Sequence, residues 1–185
     1  MNQLKGKRIA LLTENGFEEI ELTSPKEALQ NAGAEVLIVS PQKNTVKSKS
    51  GDNWSKEYKV DLDLEEASAK DFDALVLPGG VINPDKLRTN SAALAFVKEF
   101  ASDDKLIAAI CHGPQVLINA EAVKNRKITS VAAISVDLKN AGALWEDQEV
   151  VTDRNLITSR TPKDLPAFNK AIITTLSSAA KIINL

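Results

Sequence analysis

A single cysteine, Cys111, stands in the whole sequence. No disulfide can therefore close within the chain, and the lone thiol fits a reducing compartment and becomes a candidate reactive group. Histidine is equally scarce, with one copy at position 112. One Cys and one His as sequence neighbours lack the ligand count of a structural zinc site, so no metal is expected. No G-x-G-x-x-G follows a strand pattern, and no cofactor is expected. A large excess of either charge is also missing. The net charge is −2 and the pI about 5.6, which gives no basic footprint and argues against a nucleic-acid partner. The small cluster of Lys43, Lys47 and Lys49 lies in a polar stretch and reads as a solvated loop. Long apolar runs are absent. The segment Ile9-Ala10-Leu11-Leu12 is too short to cross a membrane and lacks a small-residue cleavage site. It predicts a strand, and the chain as a whole a cytoplasmic location with no membrane partner.

What is present is an ordinary globular balance, 43% hydrophobic and 26% charged. At 185 residues the chain can bury a core without staples, and one domain over 1–185 is expected. Apolar strands alternate with helical patterns. Arg8 to Thr13, Glu35 to Ser40, Ala74 to Leu77 and Leu106 to Ile110 read as buried strands, with weaker ones near Val150 and over Leu156 to Thr158. Helices are expected over Ser24 to Ala32, Ser91 to Ala101, His112 to Ala122 and Lys163 to Ile183. For the first of these, Ser24 supplies a cap, Pro25 suits the first turn and Gly33 ends it. The polar stretch Gln42 to Lys59, broken by Gly51, predicts a hairpin through Trp54, Tyr58 and Val60. Short apolar strands between helices imply a flavodoxin-like α/β fold, a doubly wound, mostly parallel sheet covered on both faces.

In such sheets, sites lie beyond the carboxyl ends of the strands. Three segments leave strands there: Glu14 to Glu21, Pro78-Gly79-Gly80 and Cys111-His112-Gly113-Pro114. Cys111 follows a strand and precedes a helix, the setting of a nucleophile elbow. A helix N-terminus beside it would favour a thiolate, and cysteines so placed have pKa values of roughly 3.5–7.5. A buried packing cysteine is the other reading of the same pattern. Adjacent side chains on a turn usually point apart, so His112 is not expected to pair simply with Cys111, although it could shuttle protons. A triad-type glutamine amidotransferase is excluded, because it needs a second, distant histidine. The backbone of Gly79, Gly80 and His112 offers oxyanion donors. Glu18, Glu19 and Glu21 read either as a solvated acidic helix start or as a source of one carboxyl beside the thiol.

Together these segments resemble the PfpI-type intracellular protease/amidase family of the ThiJ/PfpI superfamily, with its class I glutamine amidotransferase-like fold. The markers run in order along nearly the whole chain. They are Gly16 to Glu21, Asp73 to Gly80, Asn83 to Arg88, Ala109-Ile110-Cys111-His112-Gly113-Pro114-Gln115, Asp137 to Gly142 and Thr158 to Pro162. The resemblance implies that Cys111 is the nucleophile in a strained elbow and that Glu21 hydrogen-bonds its sulfur. It implies backbone donors at Gly80 and His112. It also implies that Asp85, where other members carry Glu, reaches His112 of a neighbouring copy in a homodimer or hexamer. Relatives carry an aromatic residue followed by Pro where this chain has Val131-Ala132, so a missing pocket wall is expected to come from Trp145. Glu18, Lys49, Trp145 and Arg160 are the candidate substrate-binding residues. The activity implied is Cys-dependent attack on reactive carbonyls or their protein adducts (glutathione-independent glyoxalase or deglycase), or on peptides. The alternative is a redox-sensing or chaperone-like stress protein using an oxidisable Cys111.

Overall fold

The computed structural model describes residues 2–182. The expected continuation of the last helix to Ile183, and both ends of the expected 1–185 unit, lie outside them. Strands are β1 (Arg8–Leu12), β2 (Phe17–Glu18), β3 (Glu35–Ser40), β4 (Thr45–Ser50), β5 (Asn53–Lys59), β6 (Leu62–Asp63), β7 (Ala74–Leu77), β8 (Leu106–Ile110), β9 (Lys127–Ile128), β10 (Leu144–Trp145), β11 (Val150–Asp153) and β12 (Leu156–Ser159). Helices are α1 (Glu19–Asn31), α2 (Ile82–Leu87), α3 (Ser91–Ser102), α4 (Pro114–Asn119), α5 (Ser135–Asn140) and α6 (Leu165–Ile182).

The central sheet has seven strands in the order β11-β12-β8-β7-β1-β3-β6. All neighbours pair in parallel except β11 with β12. Counting only the five long parallel strands in chain order gives 2-1-3-4-5, the flavodoxin-like winding, with its switch point between β1 and β7. Successive side chains of a strand face opposite sides, and both faces are apolar here. Ala10, Leu12, Leu75, Leu77, Ile107 and Ala109 face the layer built from α3, α4 and α5. Ile9, Leu11, Val76, Ala108 and Ile110 face the layer of α1 and α6. The doubly wound α/β architecture is therefore as the strand pattern predicts.

Most boundaries move by one or two residues, and two helices differ by more. α1 begins at Glu19, five residues before the expected Ser24 start, and Pro25 lies inside it. The start is set by tertiary pairing: Phe17 and Glu18 add a short parallel strand against Ser48 and Lys49 of β4, and the chain turns into helix directly after it. Ser24 is not a cap, since its hydroxyl accepts from the Asn169 side chain of α6 at 2.9 Å. α4 spans Pro114–Asn119 rather than His112 to Ala122. It closes where Glu121 takes φ 59°, a left-handed residue that cannot continue the helix. The expected hairpin is present as β4 and β5, turning at Gly51, and it ends at Lys59, before Val60.

Candidate active site

Cys111 leaves the end of β8 with φ 61°, a left-handed conformation that costs a non-glycine residue about 1–3 kcal/mol. Neighbouring backbone holds it there. Its N–H donates to the Ser159 carbonyl at 3.1 Å, and its carbonyl accepts from Val131 N–H at 3.2 Å. Gly113 lets the turn close, because a Cβ there would sit 2.6 Å from the Leu77 carbonyl oxygen. The elbow expected at this position is thus realised.

Glu21 reaches the same place from α1. Its side chain is fully buried, and Oε2 accepts from Gly79 N–H at 2.8 Å. Oε1 has no hydrogen-bond partner. A buried carboxylate with one orphan oxygen is costly, and desolvation raises the Glu21 pKa from 4.5 to about 7. A Cβ on Gly79 would collide with both the Glu21 carboxyl and Cys111 Cβ, so only glycine lets the loop pass between them. Gly79 is therefore not an oxyanion donor, because its N–H is spent on Glu21. The N–H groups of His112 and Gly80 instead favour the Cys111 anion.

The expectation of a low thiol pKa is not met by the thiol alone. Burial, then the Glu21 charge, pushes Cys111 up to about 12. The helix that follows begins three residues on and is only six residues long, too short and too distant to offset burial. The two acids titrate as a pair. Glu21 loses its proton near pH 7 and Cys111 keeps its own to about 12, so in the interval the pair carries one negative charge, on the Glu21 carboxylate unless the thiol proton passes to it. His112 also differs from expectation: its Nδ1 lies 3.3 Å from the Cys111 sulfur rather than pointing away. Burial lowers its pKa, so the ring is neutral at pH 7 and can exchange a proton with the sulfur.

Cys111, His112, Glu21, Gly80, Glu18 and Lys49 line one pocket of about 290 Å³. Glu18 Oε2 accepts from Gly51 N–H at 3.1 Å, which ties the hairpin tip to the pocket. Trp145 is not among the lining residues. It packs on the core beside α5, and its Nε1–H donates to Ser130 Oγ at 3.0 Å, so it supplies no replacement wall. Arg160 is likewise absent from the lining. Its guanidinium is committed to Asp164 at 2.9 Å and Asp147 at 2.8 Å. Asp85 lies exposed on α2, without a hydrogen-bond or ion-pair partner among the described residues. Sequence reasoning missed Val81, Ile82 and Pro162, which form the apolar wall. The apolar pair after Gly80 was the available signal. It also missed Asn83, fully buried, whose Nδ2 donates to the Pro78 and Gly79 carbonyls and whose Oδ1 accepts from Glu14 N–H. Asn83 thereby shapes the glycine loop. Among the described residues no three His, Cys, Asp or Glu side chains converge to hold a metal ion. No helix there is long and apolar enough to cross a membrane.

A half-buried thiol on a strained elbow after β8, beside a buried carboxyl carried by the helix that follows β1, at the carboxyl edge of a 2-1-3-4-5 sheet, defines a thiol-centred member of the flavodoxin-like α/β proteins. The chain belongs to the DJ-1/PfpI family, whose model matches residues 7–175. It is 44% identical over 174 residues to protein/nucleic acid deglycase 2 of Escherichia coli, covering 93% of this chain and 99% of that protein. It is 46% identical over 167 residues to general stress protein 18 of Bacillus subtilis, covering 89% and 95%. Among solved structures, a two-domain DJ-1/ThiJ/PfpI-like and ferritin-like protein of Anabaena variabilis superposes with TM-score 0.86 at 42% identity. The match covers 92% of this chain and half of that one. DJ-1β of Drosophila melanogaster gives 0.84 at 29% identity, covering 92% and 90%.

Proposed function

We propose that this protein is a cysteine-dependent, stress-protective enzyme that acts on reactive carbonyls or their adducts, with Cys111 as nucleophile. The observation that carries the reading is the geometry at Cys111: a half-buried thiol at a strained elbow, lining one pocket of about 290 Å³ together with the buried Glu21 carboxyl and His112. The names of the Escherichia coli and Bacillus subtilis relatives support it.

The chemistry follows from the geometry. The thiolate adds to an aldehyde carbon, the carbonyl electrons move to oxygen, and that oxygen takes the Glu21 proton to give a hemithioacetal. The N–H groups of Gly80 and His112 stabilise the oxyanion as it forms. His112 removes the proton from the former aldehyde carbon of a 1,2-dicarbonyl, and the adjacent carbonyl is protonated through an enediol, leaving a 2-hydroxy thioester. Water then adds to the thioester and expels the Cys111 thiolate, releasing a 2-hydroxy acid. Each proton transfer supplies on the order of 10²–10⁴-fold. Lys49 is the cation lining the pocket and favours the negative charge that develops on the substrate oxygens as the enediol forms. Asp85 of a neighbouring copy completes the site by accepting from His112 Nε2, the nitrogen that does not face sulfur.

The test is 2-hydroxy acid formed from methylglyoxal and from glyoxal, without glutathione, by the native protein and by Cys111→Ser. Product is followed rather than aldehyde loss, since any thiol consumes aldehyde stoichiometrically. The expected result is many turnovers, abolished in Cys111→Ser. Product that never exceeds one per subunit would sink the reading for these substrates.

A further inference from the structure

Trp145 lies outside the pocket, yet it is joined to the nucleophile through two residues. Its indole N–H donates to Ser130 Oγ at 3.0 Å, and the Ser130 hydroxyl donates to the Val131 carbonyl at 2.9 Å. Val131 N–H in turn donates to the Cys111 carbonyl at 3.2 Å. Val131 is therefore held on both of its peptide groups. Ser130 and Thr129 are fully buried, and Thr129 N–H is fixed to Thr158 Oγ1 at 2.8 Å. The ring of Trp145 is set from its other side by Lys139, whose ammonium lies 4.9 Å from the ring centroid.

The Val131 bond matters because the elbow needs restraint. A non-glycine residue at φ 61° relaxes toward negative φ unless its surroundings fix it. Cys111 has two backbone anchors, Ser159 on its N–H and Val131 on its carbonyl. The first belongs to the regular sheet. The second comes from a segment between β9 and α5 that leads into a 3-10 turn over Ala132–Ile134 and has no ladder to hold it. The Trp145–Ser130 pair adds to the restraint that Thr158 puts on Thr129 and that the Ile134 N–H, at 3.3 Å, puts on the Val131 carbonyl.

We infer that Trp145 and Ser130 are positioning residues that hold the Cys111 backbone in its strained conformation and so keep the sulfur within reach of Glu21 and the two backbone donors. This rests on the reading of Cys111 as nucleophile, but it can be tested without turnover. The probe is the second-order rate of Cys111 carboxamidomethylation by iodoacetamide between pH 8 and 9, where the pair carries one charge. Trp145→Phe keeps the ring and removes the donor; Ser130→Ala removes the link.

Each substitution is expected to slow alkylation about fivefold, equivalent to ~1 kcal/mol, with native circular dichroism. The double variant is expected to be no slower than either single, since both break one chain. If the enzyme turns over methylglyoxal, kcat falls with the alkylation rate while KM stays within twofold. An unchanged alkylation rate alongside a lowered Tm would overturn the proposal and leave Trp145 a packing residue. Additive losses in the double variant would overturn the chain as drawn. If Trp145→Phe does not fold, Ser130→Ala, which deletes one oxygen, carries the same two outcomes. Failure of carbonyl turnover with slowed alkylation would strike the proposed function and leave this inference standing.

Discussion

Glu19 and Glu21 stand two residues apart on the first turn of α1 and ionise on opposite sides of the ordinary carboxylate range. Glu19 faces the hairpin. Hydroxyls of Ser55 and Ser48, the Lys56 N–H and the Lys56 ammonium hold its pKa down at about 2. Glu21 faces the elbow, where burial dominates a single strong N–H bond and its pKa rises to about 7. The same residue type on the same helix serves as a fixed anchor on one side and as a proton store on the other. Environment alone separates the two roles.

The comparison is broken most severely at Glu21. Glu21→Gln is expected to lower kcat by about 10²–10⁴-fold, because the amide cannot give up a proton to the forming alkoxide. The same change is expected to stabilise the fold at pH 8. A folded pKa near 7 against about 4.5 unfolded means the native state holds the extra proton, so stability falls as pH rises from about 4.5 to about 7. A neutral isostere removes that loss. A Tm gain of ~5 °C at pH 8, shrinking toward zero at pH 5, would be read by calorimetry; an equal gain at both pH values would contradict the shift.

A step smaller is Asn83→Ala, which leaves the Glu14 N–H and the Pro78 and Gly79 carbonyls without their buried partner. The expected cost is about 1–3 kcal/mol in urea unfolding, accompanied by slower turnover as the Gly79 N–H drifts from Glu21. An unchanged kcat would separate the loop from the chemistry. The smallest effect is expected at Glu19. Glu19→Gln should leave kcat within about twofold and lower Tm by ~2–4 °C at pH 7. The sign follows from its depressed pKa: the contribution is complete above about 4.5 and is lost as pH falls toward about 2. Wild type and Glu19→Gln should therefore converge in stability near pH 2. A pH-independent gap would mean that the hairpin is held by packing.

Much of this contrast was invisible in the sequence for a physical reason. The strands of the sheet were legible because strands buried on both faces are unbroken apolar runs, and the elbow because Cys111 directly follows one. The residues alone left Glu21 open between a solvated acidic helix start and a carboxyl beside the thiol, and only the family resemblance turned it toward the sulfur; Ser24 and Pro25 read as the start of a helix that begins later. Only the pairing of Phe17 and Glu18 with β4 moves that start to Glu19 and turns Glu21 inward. Trp145 and Arg160 were placed in the pocket by type; the fold instead uses their donors on Ser130, Asp147 and Asp164. Local sequence carries no record of partners that far along the chain.

The central claim is that Glu21 and Cys111 share one proton above pH 7. The most direct measurement is the pH profile of Cys111 alkylation by iodoacetamide in the native protein and in Glu21→Gln. The account predicts a native midpoint near 7, set by loss of the pair's first proton, and a midpoint in Glu21→Gln moved up to that of an ordinary thiol, about 8.5, or beyond. Identical midpoints in the two proteins would show that the thiol ionises without Glu21 and would contradict it.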